Sequence, residues 1–389
     1  MFLEALKKQN SELIQSAVLL LRQGEILPDT YVIDVDRFRE NAKKIKQKAD
    51  ELDIKLFAMT KQIGRNPVLA SILIDECGYE GAVCVDFKEA LSLHKNRIKI
   101  SHVGHLVQPP KHILTRLISE VKPEIITVYS IEKAREISQV AVECGVVQGI
   151  MLKFYQDGDH LYPNQESGFH LSALDEVVER ITALPNLNVT GITHFPCFLY
   201  DQDAQKTRPT ANLTTAKQAI ERLAQKGISI THRNYPSATS CETIAMIRQH
   251  GGTHGEPGHA LTGTTPANVD ASQPESVAMV YVTEVSHVHQ GKAYCFGGGN
   301  YGRSHVEGAL VFNSEASTGD FLPVCPNDSA SIDYYFQLAG KADISAPVIM
   351  AFRTQLFVTR SDVALVEGIS TSAPKVVGLF DTQGRQIER

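Results

Sequence analysis

Between residues 55 and 256 eight short apolar segments alternate with seven longer segments that carry apolar residues at helical spacing, with turns between them. The apolar segments are 55–60, 81–85, 98–103, 125–128, 149–154, 189–194, 229–234 and 252–256. Helical spacing runs through 66–77, 87–94, 110–120, 131–144, 173–183, 209–226 and 241–250. Eight strands linked by helices are what a closed (β/α)8 barrel, the TIM barrel, requires. A doubly wound open sheet is the rival, but it does not need eight successive units.

The flanks read differently. In residues 1–27, Leu3, Leu6, Leu13, Ile14, Ala17, Val18 and Leu21 lie close to one helical stripe, and Pro28-Asp29 ends it. Tyr31-Val32-Ile33 is a short strand, followed by a helix over 37–52 with Asp36 as its N-cap. After Gly263-Thr264-Thr265-Pro266 helical periodicity stops. Segments 276–289, 293–296, 308–312, 321–325, 349–358, 363–367 and 375–380 read as strands between Gly, Pro, Asn and Ser turns. A chain of 389 residues exceeds one ordinary core. We therefore expect a barrel over 28–265 and a C-terminal all-β domain, grouped with the N-terminal helix as 1–27 and 266–389.

Composition excludes several functions. A net charge of -6 leaves no basic footprint for nucleic acid, and no apolar run is long enough to span a bilayer. The N-terminus, Met1-Phe2-Leu3-Glu4-Ala5-Leu6-Lys7-Lys8, is charged and amphipathic, unlike a secretory signal. The seven cysteines are scattered and form no C-x-x-C pair. Neither a disulfide framework nor a metal site is expected, and a reducing cytoplasm fits best.

A barrel concentrates its chemistry at the C-terminal ends of its strands. The first strand runs into Lys61, then Gly64 and Asn66-Pro67 turn the chain. An amine held there against apolar surroundings is depressed in pKa and attacks carbonyls; a lysine at a strand end also commonly keeps its head in water. The third strand leads into Ser101-His102-Val103-Gly104-His105, whose histidines read as surface or loop-packing residues with substrate contact as the alternative. Strand five carries Lys153, and strand six ends in Thr193-His194-Phe195. After strand seven, Ser237-Ala238-Thr239-Ser240 sets hydroxyls before a helix N-terminus, which suits a phosphate or an ordinary N-cap. Strand eight ends in Gly255-Glu256-Pro257-Gly258-His259. A lysine, a phosphate loop, a flat histidine and a carboxylate are the groups that pyridoxal 5'-phosphate (PLP) chemistry asks of a protein.

These segments resemble the fold-type III PLP enzymes: alanine racemase, ornithine and diaminopimelate decarboxylase, and D-serine dehydratase. Tyr31-Val32-Ile33-Asp34-Val35-Asp36 resembles that family's opening strand, and Ala58-Met59-Thr60-Lys61 the segment with its Schiff-base lysine. Gly191-Ile192-Thr193-His194-Phe195 is similar to the segment with its active-site histidine. Glu256-Pro257-Gly258 looks like the decarboxylases' E-P-G, whose glutamate meets the pyridine nitrogen. The whole chain resembles the YhfX group of PLP-dependent proteins. The resemblance implies PLP held by Lys61, His194, Ser237, Thr239, Ser240, Glu256, Gly258 and His259. It also implies a homodimer whose second β domain completes each site.

The chain departs from the family at informative places. Alanine racemase has an arginine at the Glu256 position, and glutamate makes the ring a stronger electron sink. His259 stands where the decarboxylases carry an arginine for the phosphate, and the racemases' arginine after strand five is missing from Gly158-Asp159-His160-Leu161-Tyr162. Cys325 resembles the decarboxylases' catalytic cysteine, with core packing as the alternative. Pro323 occupies the place of the dehydratases' zinc-binding histidine. Tyr301 falls near the racemases' catalytic tyrosine with a one-residue offset, or is simply a turn tyrosine. The expected function is an amino-acid racemase or epimerase with Lys61, Cys325 and Tyr301 as catalytic residues. A PLP-dependent decarboxylase and a non-catalytic PLP carrier are the alternatives.

Overall fold

Strand-forming residues alternate with helices through the middle of the chain because each strand is buried on both faces and needs a helix to cover it. The computed structural model describes residues 1–315, 318–328 and 330–388. Among them, eight parallel strands pair in one cycle. In chain order they are Lys55–Met59, Gly81–Cys84, Ile100–Val103, Ile125–Val128, Gln148–Tyr155, Leu187–Thr193, His232–Asn234 and His254–Gly255. The last pairs with the first, through His254 with Lys55 and Gly255 with Leu56, which closes the barrel.

Local sequence sets the helices between them. Asp86 accepts the Glu89 N–H and Ser130 the Lys133 N–H, so Phe87–Lys95 and Ile131–Glu143 both start on side-chain caps. Two expected helices are less regular than their spacing suggests. Pro67–Ser71 widens into a π-helical turn at Ile72–Glu76, and Leu114–Arg116 into one at Leu117–Val121. Their closing bonds, Cys77 N–H to Ile72 O (3.0 Å) and Lys122 N–H to Leu117 O (2.8 Å), span five residues. The polar stretch after strand six carries an unexpected hairpin, Phe198–Asp201 with Lys206–Pro209.

The barrel belongs to a compact unit of residues 45–60 and 70–258. A second unit comprises 1–44, 61–69 and 259–389. Its main sheet includes Thr30–Asp34, which lies between antiparallel Met279–His289 and parallel Asp362–Glu367. The expected opening strand therefore pairs with the β domain, and its neighbour Asp34, not Asp36, caps the next helix by accepting the Arg37 N–H (3.0 Å). Asp36 instead accepts the Gly368 N–H (2.8 Å). A strand missed in the sequence, Tyr335–Leu338, pairs with Lys292–Phe296.

The N-terminal stripe forms two helices, Leu3–Gln9 and Ser11–Arg22. Leu6, Leu13 and Ala17 are fully buried and share a core with Val32, Val282 and Ile349 of the sheet. Burying each such leucine is worth about 1.5–3 kcal/mol, which fixes these helices on the sheet face.

Candidate functional site

Four barrel strands converge on one carboxylate. Glu256 follows the eighth strand, and its side chain is 1% exposed. Oε1 takes two hydrogen bonds, from His102 Nδ1 (3.2 Å) at strand three and from Asn234 Nδ2 (2.7 Å) at strand seven. His102 Nε2 is 2.6 Å from Thr127 Oγ1 on strand four. His105 Nε2 stands 3.8 Å from Oε2. Burial pushes the Glu256 carboxyl up, but the charge of His105 and the bonds from His102 and Asn234 outweigh it and hold the group at about 2. Glu256 is thus ionised, and among the described residues its buried Oε2 accepts no hydrogen bond.

The ligand atoms of His102, His105 and Glu256 lie within 4.8 Å of one another, a spacing that a cation bridges. The hydrogen-bond pattern works against it. His102 gives its Nδ1 proton to a carboxylate and has its other nitrogen on a hydroxyl, which leaves no ready lone pair for a metal.

His194 follows the sixth strand and is fully buried. The Phe195 N–H donates to its Nδ1 (2.8 Å), so Nε2 carries the proton and donates to Asp159 Oδ2 (2.8 Å). Burial lowers the imidazole's pKa against the pull of Asp159. Burial raises Asp159, but His194, the Gln156 N–H and Thr215 together take it below the ordinary value. The result is a neutral, oriented ring. Asn234 Nδ2 also reaches Thr193 Oγ1 (3.4 Å), which links this histidine's strand to Glu256.

The hydroxyls of the 237–240 loop are committed to the protein. Ser237 donates to Phe198 O (2.7 Å), and Thr239 Oγ1 accepts the Glu256 N–H (3.0 Å). Ser240 and Thr243 form a reciprocal capping box on Cys241–Gln249, so the N-cap role is present. Ser237 and Ala238 have φ of 93° and 54°, left-handed backbone that turns the chain from strand seven toward the helix. A Cβ on Gly255 would meet Thr239 Cγ2 at 2.9 Å, so glycine is what lets this loop close on strand eight. Buried Lys153 donates to Ser167 Oγ (2.8 Å) and lies 5.6 Å from the Tyr129 ring centre. Burial pulls its amine down to about 8.

The second unit holds the other expected residues. Lys61 opens a 3-10 turn, Lys61–Ile63, two residues beyond the end of the first barrel strand. The turn's seat is explicit. Arg65 lies 4.8 Å from the Phe357 ring centre and donates to Gln383 Oε1 (2.9 Å), and Gln383 donates to Phe357 O (2.8 Å). His259 Nε2 donates to Thr354 O (2.8 Å). Burial, then the charges of Arg353 and Lys61, press its pKa well below the ordinary value, so His259 is neutral. Tyr301 belongs to a tight turn with Ser304, whose carbonyl accepts the Arg353 N–H (3.1 Å). Cys325 is half-buried, and its N–H bonds Gln337 O (2.7 Å).

The fold thus gathers Glu256, Ser237, Thr239 and Ser240, with His194 linked to them through Asn234, at the strand ends of one unit; Gly258 ends that unit's chain. It gathers Lys61 and His259 in the other, with Tyr301 tied to the same backbone. His102 and His105 are not surface residues: both are buried and face Glu256. Their place at a strand end was the available signal. Asn234, the last residue of strand seven, had the same signal, and Asp159 lies in the loop after strand five; Arg353 and Thr354 carried none.

Residues 33–266 match the family model "Alanine racemase, N-terminal domain", and residues 280–376 match "YhfX-like, C-terminal domain". The chain is 48% identical over 387 residues to Uncharacterized protein YhfX of Escherichia coli (strain K12), covering 100% of both chains. Solved structures share the fold. D-threonine aldolase from Filomicrobium marinum superposes with TM-score 0.68 at 15% identity, over 92% of this chain and 95% of its own. Alanine racemase of Clostridium difficile 630 gives 0.64 at 18%, over 92% and 99%. D-threo-3-hydroxyaspartate dehydratase from Delftia sp. HT23 gives 0.64 at 14%, over 89% and 95%. PLP is the cofactor of this family of barrels.

Proposed function

Because this chain belongs to the alanine racemase N-terminal domain family, with a YhfX-like C-terminal domain, we propose that it is a PLP-dependent amino-acid racemase or epimerase. Glu256 carries the cofactor assignment: a buried carboxylate, held ionised at about 2, with one oxygen that accepts no hydrogen bond among the described residues; the resemblance of Tyr301 and of Thr193-His194-Phe195 to the racemases turns the reading toward racemisation. A protonated pyridine nitrogen is the complement of that oxygen, so the residues present fit the cofactor. When bound, PLP supplies the electron sink for breaking a bond at an amino acid's α-carbon.

The chain's own residues take the remaining tasks. Lys61 is the amine that would hold the cofactor's aldehyde, and its Nζ would carry the α proton on one face. His194, fixed by Asp159 and the Phe195 N–H, is a neutral plate for the ring to lie against. The 237–240 loop, with Gly258, would receive the phosphate. Tyr301 or Cys325 of a second protomer would supply the proton on the other face, which makes the homodimer part of the proposal. Residues 28–265 would then form the cofactor-binding domain, and 1–27 with 266–389 the β domain that completes a partner's site. No helix among the described residues is long and apolar enough to cross a membrane, and none of the seven cysteines is in a disulfide. Both observations support a cytoplasmic setting.

Decarboxylation is the second reading, favoured by the same Glu256, since a stronger electron sink also serves loss of the carboxylate. The purified protein with added PLP should show a visible absorbance band that disappears in Lys61→Ala. No band in the wild type would sink the cofactor assignment. Chiral chromatography of amino-acid mixtures beside a carbon dioxide assay separates the reactions. Racemisation without gas supports the proposal, gas without racemisation supports decarboxylation, and no turnover of any amino acid leaves a PLP carrier.

A further inference from the structure

Among the described residues Arg353 forms no salt bridge. Its Nε is buried and takes part in no hydrogen bond among the described residues. The next residue, Thr354, is 2% exposed, and its Oγ1 also lacks a partner. The Thr354 carbonyl is not idle, because it accepts the His259 Nε2 proton (2.8 Å). That bond leaves His259 a neutral ring, with Arg353 and Lys61 both near enough to disfavour its protonation. A buried donor left unpaired costs about 1–3 kcal/mol. Such a place is stabilised by an anion that accepts hydrogen bonds.

The backbone holds the place in shape. The Arg353 N–H is tied to Ser304 O (3.1 Å), and Ser304 to Tyr301. Thr354 is followed by Leu356–Val358, the segment on which the Lys61 turn packs. Gly64, in that turn, is close enough that a Cβ would meet Val363 Cγ2 at 3.1 Å and Leu356 Cδ2 at 3.7 Å. The two segments therefore keep a fixed spacing, and the donors of Arg353 and Thr354 stay near Lys61.

We propose that Arg353 and Thr354 form an oxyanion-binding site beside Lys61. A phosphate monoester and an amino-acid carboxylate share the required chemistry: a planar or tetrahedral oxyanion that takes a guanidinium N–H and a hydroxyl. In its ligand the inference rests on the PLP reading above; in its residues it does not. His259 contributes by holding the Thr354 carbonyl, not by meeting the anion as a cation.

The test uses the full-length protein, with Arg353→Gln and Thr354→Val as variants and Arg353→Lys as the charge-keeping control. Without cofactor, inorganic phosphate and acetate are titrated by calorimetry. The wild type should bind at least one of them, Arg353→Gln should weaken that binding about tenfold or more, Arg353→Lys should restore part of it, and Thr354→Val should weaken it less. The loaded protein identifies the source. If the anion is the cofactor's phosphate, Arg353→Gln loses affinity for PLP but not for pyridoxal. If it is the substrate carboxylate, PLP affinity holds, and the preference for alanine over ethylamine in shifting the visible band is lost. Wild-type phosphate or acetate binding that depends on Arg353, with no visible band on adding PLP, would leave the anion site standing and the PLP reading fallen. Identical anion titrations for wild type, Arg353→Gln and Thr354→Val would overturn the site.

Discussion

The Glu256 pocket and the Lys61 seat are built on opposite plans. Around Glu256, four strand ends deliver His102, Thr127, Asn234 and the carboxylate itself, and most of their polar atoms are spent on one another. Around Lys61, the elements are turns from residues 61–65, 301–304, 353–358 and 383–384, and Arg353 and Thr354 retain unpaired buried atoms. The first is a largely paired network whose charge is fixed before any ligand arrives, with Glu256 Oε2 and Asn234 Oδ1 left over. The second also has polar groups left over, but they are donors held by turns, which a ligand anion would satisfy. Preorganised electrostatics come from regular strands, which repeat a register; adaptable contacts come from turns, which place single groups.

The largest effect separating the two regions should come from Glu256→Gln. The folded carboxyl sits at about 2, below its ordinary 4.5. Its ionised form therefore stabilises the fold fully above pH 4.5, and the contribution is lost as the pH falls toward 2. The difference is worth on the order of 3 kcal/mol. Urea melts at pH 7 and pH 3 should show about 2 kcal/mol of this acid loss in the wild type and not in Glu256→Gln. Equal losses in both would mean that the His102 and Asn234 bonds do not hold the charge.

A somewhat smaller effect should appear at Gly384→Ala. Gly384 has φ +76°, and a Cβ there would stand 2.2 Å from the Arg65 carbonyl oxygen. The cost should be about 2 kcal/mol and should fall on the Lys61 seat. Amide exchange over residues 61–69 should speed up while the barrel strands keep their protection. Uniform acceleration across the barrel would show that the two regions are not independent. The smallest effect belongs to Ser240→Ala, which removes one half of the capping box and should cost about 1 kcal/mol in a chemical melt. If PLP affinity also drops in that variant while pyridoxal affinity does not, the loop's hydroxyl is a phosphate ligand as well as a cap.

The part of the fold legible in the sequence follows from local physics. Eight short apolar segments with seven segments of period 3.6 between them point to a barrel, and a barrel's chemistry lies at its strand ends. Lys61, His194 and Glu256 could therefore be picked out with no coordinates, because each ends a readable strand. The sequence also marked Ser240 as a cap, since a hydroxyl before a helical run is a local signal. Tertiary structure alone decided the rest. Asn234 and His102 meet Glu256 across 22 and 154 residues of chain. Tyr31-Val32-Ile33 looked like a barrel opening, yet its hydrogen bonds go to strands some 250 and 330 residues away. Arg353 and Thr354 sit in a stretch that reads as the tail of a β-strand, where the structure has left the strand for a turn. Periodicity reports which face of an element is buried; it is silent on which side chain from another segment arrives there, and on which buried donor is left without a partner.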